Sequence, residues 1–108
     1  MEASRCSREE YVRKVLDAYR QTPGTTGCVR RQDRLLAAQL YDRAVPLKTI
    51  ENALVLAAAR RMLRAADAPS LATVRSLAYF QPIIDEVQEL KLGDDYFQHL
   101  RRRLERLP

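Results

Sequence analysis

The feature that most constrains the fold is the spacing of apolar residues, which recur three and four positions apart through nearly the whole chain. Prolines and glycines interrupt this spacing and divide the chain into five segments of helical length. The alternation of apolar and polar residues that marks a half-buried strand does not occur. The sequence therefore predicts an all-α fold, a compact bundle of about five helices in one domain over residues 1–108.

The first two helices are predicted from their end signals. Ser7 and Glu10 have the spacing of a capping box, and the loop that begins at Pro23 ends the run, so the first helix spans roughly residues 8 to 21. Residues 1–7 are expected to form a flexible N-terminus. The second helix starts near Arg30 and ends where Pro46 disfavours helix in the residues before it.

The remaining helices are predicted from proline, glycine and serine positions. Pro46 is well placed to open a third helix, which is apolar all round over residues 53–59 and is therefore expected at the centre of the fold. Residues 71–75 are expected to be extended or a short turn. Ser76 is expected to cap a fourth helix that tolerates Pro82 near its start, and Gly93 separates it from the last helix.

The junction between the second and third helices resembles a helix-turn-helix. In that motif a small residue permits a tight turn, a hydrophobic residue plugs it, and a β-branched residue five positions later anchors the next helix. Three residues fill these positions: Ala44, Val45 and Ile50. Glycine is usual at the first position, and the would-be recognition helix offers only Lys48, Thr49 and Asn52 for reading bases. Core packing of a helical hairpin explains the same pattern, so both interpretations stay open.

Charge is distributed unevenly along the chain. The net charge is +5 at pH 7, with −4 over residues 66–95 and +9 over the remainder. A basic excess of this kind favours a polyanionic partner. We therefore expect nucleic acid as the main partner, DNA more than RNA.

Positive residues cluster at the start of the second helix, the end of the third and along the last. Residues three and four apart share a helix face, so each cluster forms a stripe that can contact phosphates. Arginine at a helix C-terminus also complements the helix dipole, which explains the later clusters but not the first. Arg30, Arg31 and Arg34 are therefore the strongest candidates. The predicted nucleic-acid-binding residues are Arg30, Arg31, Arg34, Lys48, Arg60, Arg61, Arg64, Arg102 and Arg106.

Patterns typical of catalytic and metal sites are missing from the sequence. His99 is the only histidine and has no second ligand three or four positions away, and the glycines form no phosphate loop. Cys6 and Cys28 lack the spacing of a zinc or redox motif and are expected to be free thiols in a reducing cytoplasm. We expect a protein that is not an enzyme and uses no metal, cofactor or small-molecule substrate.

Two further expectations concern the membrane and a protein partner. Residues 1–10 carry both signs of charge, and no run of eighteen apolar residues occurs, so we expect a cytoplasmic protein without a membrane partner. The alternative to nucleic-acid binding is an adaptor or small subunit. Its docking surface would be the acidic segment of residues 66–95 or the apolar stripe of the last helix, which suits docking on its own domain or on a partner helix. That stripe consists of Phe97, Leu100, Leu104 and Leu107. A homo-oligomer is the other expected protein assembly.

A family resemblance supports the nucleic-acid interpretation. The stretch from Ala44-Val45-Pro46-Leu47 through the alanine-rich helix to Arg75-Ser76-Leu77-Ala78-Tyr79-Phe80 resembles the helical C-terminal modules of bacterial plasmid and phage replication proteins, including DnaD-type accessory proteins. It covers about a third of the chain, and the tryptophan of many DnaD-type modules is absent. The resemblance implies an accessory protein of bacterial or mobile-element DNA metabolism that binds DNA through basic helices and touches a replication or recombination enzyme.

Overall fold

The computed structural model describes residues 7–65, 67–90 and 93–107, and these form five α-helices. The helices are α1 (Arg8–Gln21), α2 (Arg31–Asp42), α3 (Leu47–Met62), α4 (Gln81–Leu90) and α5 (Asp94–Glu105). The all-α prediction is confirmed. The predicted flexible N-terminus lies outside the described residues, as does Cys6, except that Ser7 caps α1 through the predicted reciprocal bonds with Glu10.

Helices α1 and α2 form an antiparallel hairpin. The start of α1 lies beside the end of α2, where Arg8 pairs with Asp42 and the rings of Tyr11 and Tyr41 meet edge to face at 5.2 Å. This pairing places the end of α1 beside the beginning of α2. The arginines that open α2 therefore share a surface with residues of α1.

Helix α3 is the centre of the fold, as predicted. Eight of its residues are buried, four of them the alanines Ala53, Ala57, Ala58 and Ala59. Small side chains allow neighbouring helices to approach closely, and α1, α4 and α5 all pack against α3. Because α3 is enclosed on several sides, its apolar residues serve the core.

The fourth helix differs from its prediction at the N-terminal end. Residues Leu77–Phe80 form a 3-10 helix that leads into α4, and Ser76 makes no side-chain cap hydrogen bond. The reason is Pro82, which lacks an N–H and whose ring would clash with the carbonyl four residues earlier in an α-helix. The tighter 3-10 turn avoids that clash, so the cap prediction for Ser76 was wrong.

The segment predicted as extended or a short turn is extended, and it pairs with the loop after α1. Val74 donates its N–H to the Gly24 carbonyl at 2.7 Å, and Thr26 donates to the Val74 carbonyl at 3.0 Å. These bonds form a single parallel bridge between Thr25 and Val74. The bridge ties the first half of the chain to the second.

The turn between α2 and α3 has the predicted tight geometry. Ala44 has a φ of +61°, in the left-handed region. Its N–H donates to Tyr41 O at 2.9 Å, and the Val45 N–H donates to Leu40 O at 3.1 Å, the bonding pattern of a Schellman motif. Val45 and Ile50 are buried, so the plug and the anchor lie where the pattern predicted.

We predict that Ala44→Gly stabilises the protein. Left-handed backbone strains any residue with a Cβ, and glycine removes that strain at the expense of a more flexible unfolded chain, for a net gain of about 0.5–1 kcal/mol. Urea denaturation measures the change. The matched variant Ala38→Gly, within α2, should instead lose about 1 kcal/mol. Equal destabilisation by both substitutions would contradict the prediction.

A buried carboxylate holds the start of α2 against the 3-10 helix. Asp33 is only 2% exposed. Its Oδ2 accepts the Arg30 N–H at 2.8 Å, and its Oδ1 accepts the Leu77 N–H at 2.9 Å. A single side chain therefore satisfies the first orphan N–H groups of two different helices.

We predict that Asp33→Ala lowers the free energy of unfolding by about 2–4 kcal/mol, because it leaves two N–H groups without an acceptor, one of them fully buried. Asp33→Asn keeps one acceptor oxygen but turns an NH2 donor toward the other N–H, so it should also lower the free energy of unfolding, by about 1–3 kcal/mol. Urea denaturation measures both variants. Asp67→Ala, at an exposed loop position, is the control and should change stability by less than about 0.5 kcal/mol. A loss for Asp33→Ala no larger than for the control would refute the bridging role.

Candidate nucleic-acid interface

The two helices of the N-terminal hairpin enclose an open groove of about 490 Å³, here called the α1–α2 groove. Its lining combines apolar and charged side chains: Arg8, Glu9, Val12, Arg13, Leu16, Arg20, Arg34 and Ala38. Val12 and Leu16 lie one turn apart on α1, and Arg34 and Ala38 lie one turn apart on α2. The antiparallel packing brings these two faces together, so residues distant in sequence share one concave surface.

Two of the four groove arginines are held by acids. Arg8 makes a bidentate pair with Asp42, at 3.1 Å from Nε and 2.9 Å from Nη2. This pairing lowers the pKa of the Asp42 carboxyl below its ordinary value and raises that of Arg8. Arg20 pairs with Asp17 one turn earlier on α1. Both guanidinium groups are thereby partly neutralised.

The other two groove arginines have no such partner. Across the described ranges, neither Arg13 nor Arg34 forms an ion pair with an acid. Glu10 is electrostatically influenced by Arg13, yet its carboxylate is bonded to Ser7. Among the described residues, Arg13 and Arg34 therefore lack the bonded acid that holds Arg8 and Arg20.

Arg30 and Arg31 extend this basic surface at the N-terminus of α2, where both are exposed. Positive charge at a helix N-terminus opposes the helix dipole. Asp33 lies in the same turn, but its carboxylate is buried and turned toward backbone N–H groups. The exposed side of this helix start is therefore basic, which is unfavourable for the helix alone and favourable for an anion.

Two of the three arginines at the end of α3 bond to other parts of the protein. Arg60 makes a bidentate pair with Glu86 of α4, which lowers the pKa of that carboxyl, and one of its bonds measures 2.8 Å. Arg61 donates to the Ala72 carbonyl at 2.8 Å and reaches the Tyr79 hydroxyl at 3.5 Å. Arg64, the third predicted residue here, is half-buried. Arg60 and Arg61 thus hold α4 and the segment that precedes it against α3.

The burial of α3 favours the core-packing interpretation of the helix-turn-helix pattern. Lys48 is exposed, but Thr49 is half-buried and Asn52 is 6% exposed. A recognition helix must present such side chains to a groove of the nucleic acid. Since α3 is enclosed by three helices, the core-packing interpretation of the helix-turn-helix pattern explains its residues.

Helix α5 docks on its own domain. Phe97 and Leu100 are buried, and Leu104 and Leu107 are half-buried. This packing on α3 covers much of the stripe that was predicted to bind a partner. Arg102 and Arg106 are exposed on the outer side of α5, and neither lines the α1–α2 groove.

Sequence reasoning missed three of the four groove arginines, Arg8, Arg13 and Arg20. Arg13 and Arg20 lie seven residues apart on α1, which is two helical turns and therefore the same side of the helix. That spacing was a usable signal, but the groove exists only because α2 returns along α1. Of the predicted cations, only Arg34 joins them in the lining.

Comparisons with protein-family models, curated proteins and solved structures found no match for this chain. Among the described residues no cluster of His, Cys, Asp and Glu has the arrangement of a metal site. None of the helices in those ranges is both long and apolar enough to cross a bilayer. Cys28 is exposed in the loop before α2, and His99 is exposed on α5.

We predict that Arg61→Ala destabilises the protein. Loss of its bonds to Ala72 and Tyr79 should lower the free energy of unfolding by about 1 kcal/mol and speed amide exchange at Val74, because the segment loses its fastening to α3. Hydrogen exchange and urea denaturation measure these effects. Arg103→Ala, an exposed arginine on α5, is the control and should change neither. Unchanged exchange at Val74 in Arg61→Ala would show that the contact carries no stability.

Proposed function

We propose that the protein is a non-enzymatic nucleic-acid-binding accessory protein whose basic surface is formed by α1 and the start of α2. The observation that carries the proposal is that Arg13 of α1 and Arg34 of α2, neither of which forms an ion pair with a described acid, line the same groove. DNA is the proposed ligand in preference to RNA. The resemblance to DnaD-type modules adds a proposed setting in bacterial or mobile-element DNA metabolism.

Electrostatics support a phosphate ligand for this surface. Arg13, Arg30, Arg31 and Arg34 carry charge that the described acids do not pair, and three of them belong to the first turn of α2 or its cap. Guanidinium groups bind phosphate through paired N–H donors. Retaining this charge at a helix N-terminus destabilises the helix slightly, so a binding role gives a reason for its presence.

The adaptor alternative has weaker support. One of its predicted docking surfaces is the apolar stripe of α5, and two of the four residues of that stripe, Phe97 and Leu100, are buried where α5 packs on α3. A partner helix would have to displace α5 from its own domain to reach them. The basic surface of α1 and α2 needs no rearrangement to bind a polyanion.

We predict that replacing Arg30, Arg31 and Arg34 together by alanine weakens binding to a short DNA at least tenfold at low salt. Each phosphate contact releases condensed counterions, so the slope of log affinity against log salt should also fall in magnitude by about 2–3. Fluorescence anisotropy over a salt series measures both quantities.

The control for this experiment is replacement of Arg102, Arg103 and Arg106 by alanine. This variant removes the same charge from α5, so it should change affinity by less than about threefold if the basic surface of α1 and α2 is the site. Equal losses in the two variants would mean that net charge alone matters and would refute the proposed location. No binding by the unmodified protein at low salt would refute the function.

A further inference from the structure

The floor of the α1–α2 groove is apolar although its rim is basic. Its apolar lining residues, here called the floor, are Val12, Leu16 and Ala38, and its charged lining residues, here called the arginine rim, are Arg8, Arg13, Arg20 and Arg34 together with the single acid Glu9. Val12 and Ala38 are half-buried, so they remain accessible from solvent. Because four arginines face one glutamate in this lining, the groove favours a ligand that combines an apolar face with negative charge.

We propose that the α1–α2 groove binds a single-stranded segment of nucleic acid, with unpaired bases against the apolar floor and phosphates at the arginine rim. The inference rests on the proposed nucleic-acid function and specifies its substrate class. The volume of the α1–α2 groove, about 490 Å³, lies within the range of small-molecule sites, about 300–1,000 Å³. An unpaired base has the flat apolar faces that such a site accommodates.

A duplex cannot fill the groove in the same way. Its bases are stacked and paired inside, so its outer surface offers phosphates to the arginine rim and leaves the apolar floor unfilled. A single strand exposes its bases, and proteins bind such strands by combining basic grooves with stacking surfaces. The described residues that line this groove include no aromatic side chain, so the guanidinium planes of Arg13 and Arg34, which form no ion pair with a described acid, are the available stacking surfaces.

The experiment compares three DNA probes with the full chain by fluorescence anisotropy. The probes are a single strand of about 12 nucleotides, an abasic strand of the same length, and the corresponding duplex. The abasic strand keeps the phosphates and removes the bases. We expect the base-containing strand to bind about tenfold more tightly than the abasic strand and the duplex.

A groove-filling variant locates the effect. Ala38→Leu places a larger side chain in the groove while keeping a strong helix former, and it should weaken binding of the base-containing strand about tenfold. Binding of the abasic strand and the duplex should change less than about twofold. The matched control is Gln39→Leu, an exposed neighbour that does not line the groove and should leave all three affinities unchanged.

The outcomes separate this inference from the proposed function. Equal affinities for the three probes, or no effect of Ala38→Leu, would overturn the single-strand inference and leave the basic surface of α1 and α2 intact. No binding to any probe would overturn both. An acidic amphipathic peptide is included as the competing occupant. If it binds in an Ala38-dependent manner and the base-containing strand does not, the groove is a protein-docking site and the inference is wrong.

Discussion

The arrangement of this protein depends on the bridge that Asp33 makes between the backbone of Arg30 and that of Leu77. Its two carboxylate oxygens fix the start of α2 and the start of the 3-10 helix relative to each other. A buried carboxylate is tolerated because both oxygens accept N–H groups that otherwise lack partners. The arginines around Asp33 are therefore displayed by a helix whose beginning is anchored in the core, while their side chains remain in solvent.

Much of the fold follows from local chemistry that the sequence records. The capping box at Ser7, the apolar run of α3 and the tight turn at Ala44 all involve residues close together in the chain, and their predictions were confirmed. The 3-10 helix before α4 was not foreseen, although Pro82 was the relevant signal. The role of Asp33 was also not foreseen, because its second partner lies 44 residues away. Local patterns predict elements, and long-range polar contacts require the packed structure.

In the candidate site, too, local sequence patterns predict some residues and long-range contacts decide the others. Arg34 was selected because positive charge at a helix start is locally unfavourable, and the structure places it in the groove. Arg60 and Arg61 were also predicted to bind nucleic acid, but they bond to Glu86 and to the Ala72 carbonyl. Sequence spacing does not predict that the segments holding these acceptors contact α3. Charge counts along a chain do not distinguish an arginine that binds a ligand from one that fastens two segments. Only the position of the acceptor does so.

The bridge between Thr25 and Val74 also bears on how the chain reaches this structure. The α1–α2 hairpin is built from contacts between neighbouring segments, which close quickly because little chain entropy is lost. The bridge and the Asp33 bond to Leu77 join residues more than 40 positions apart, so closing them costs more chain entropy than closing the hairpin. During synthesis, the basic hairpin therefore leaves the ribosome before the segment that fixes its loop and the start of α2. The final geometry of the N-terminal half is set by residues translated in the second half.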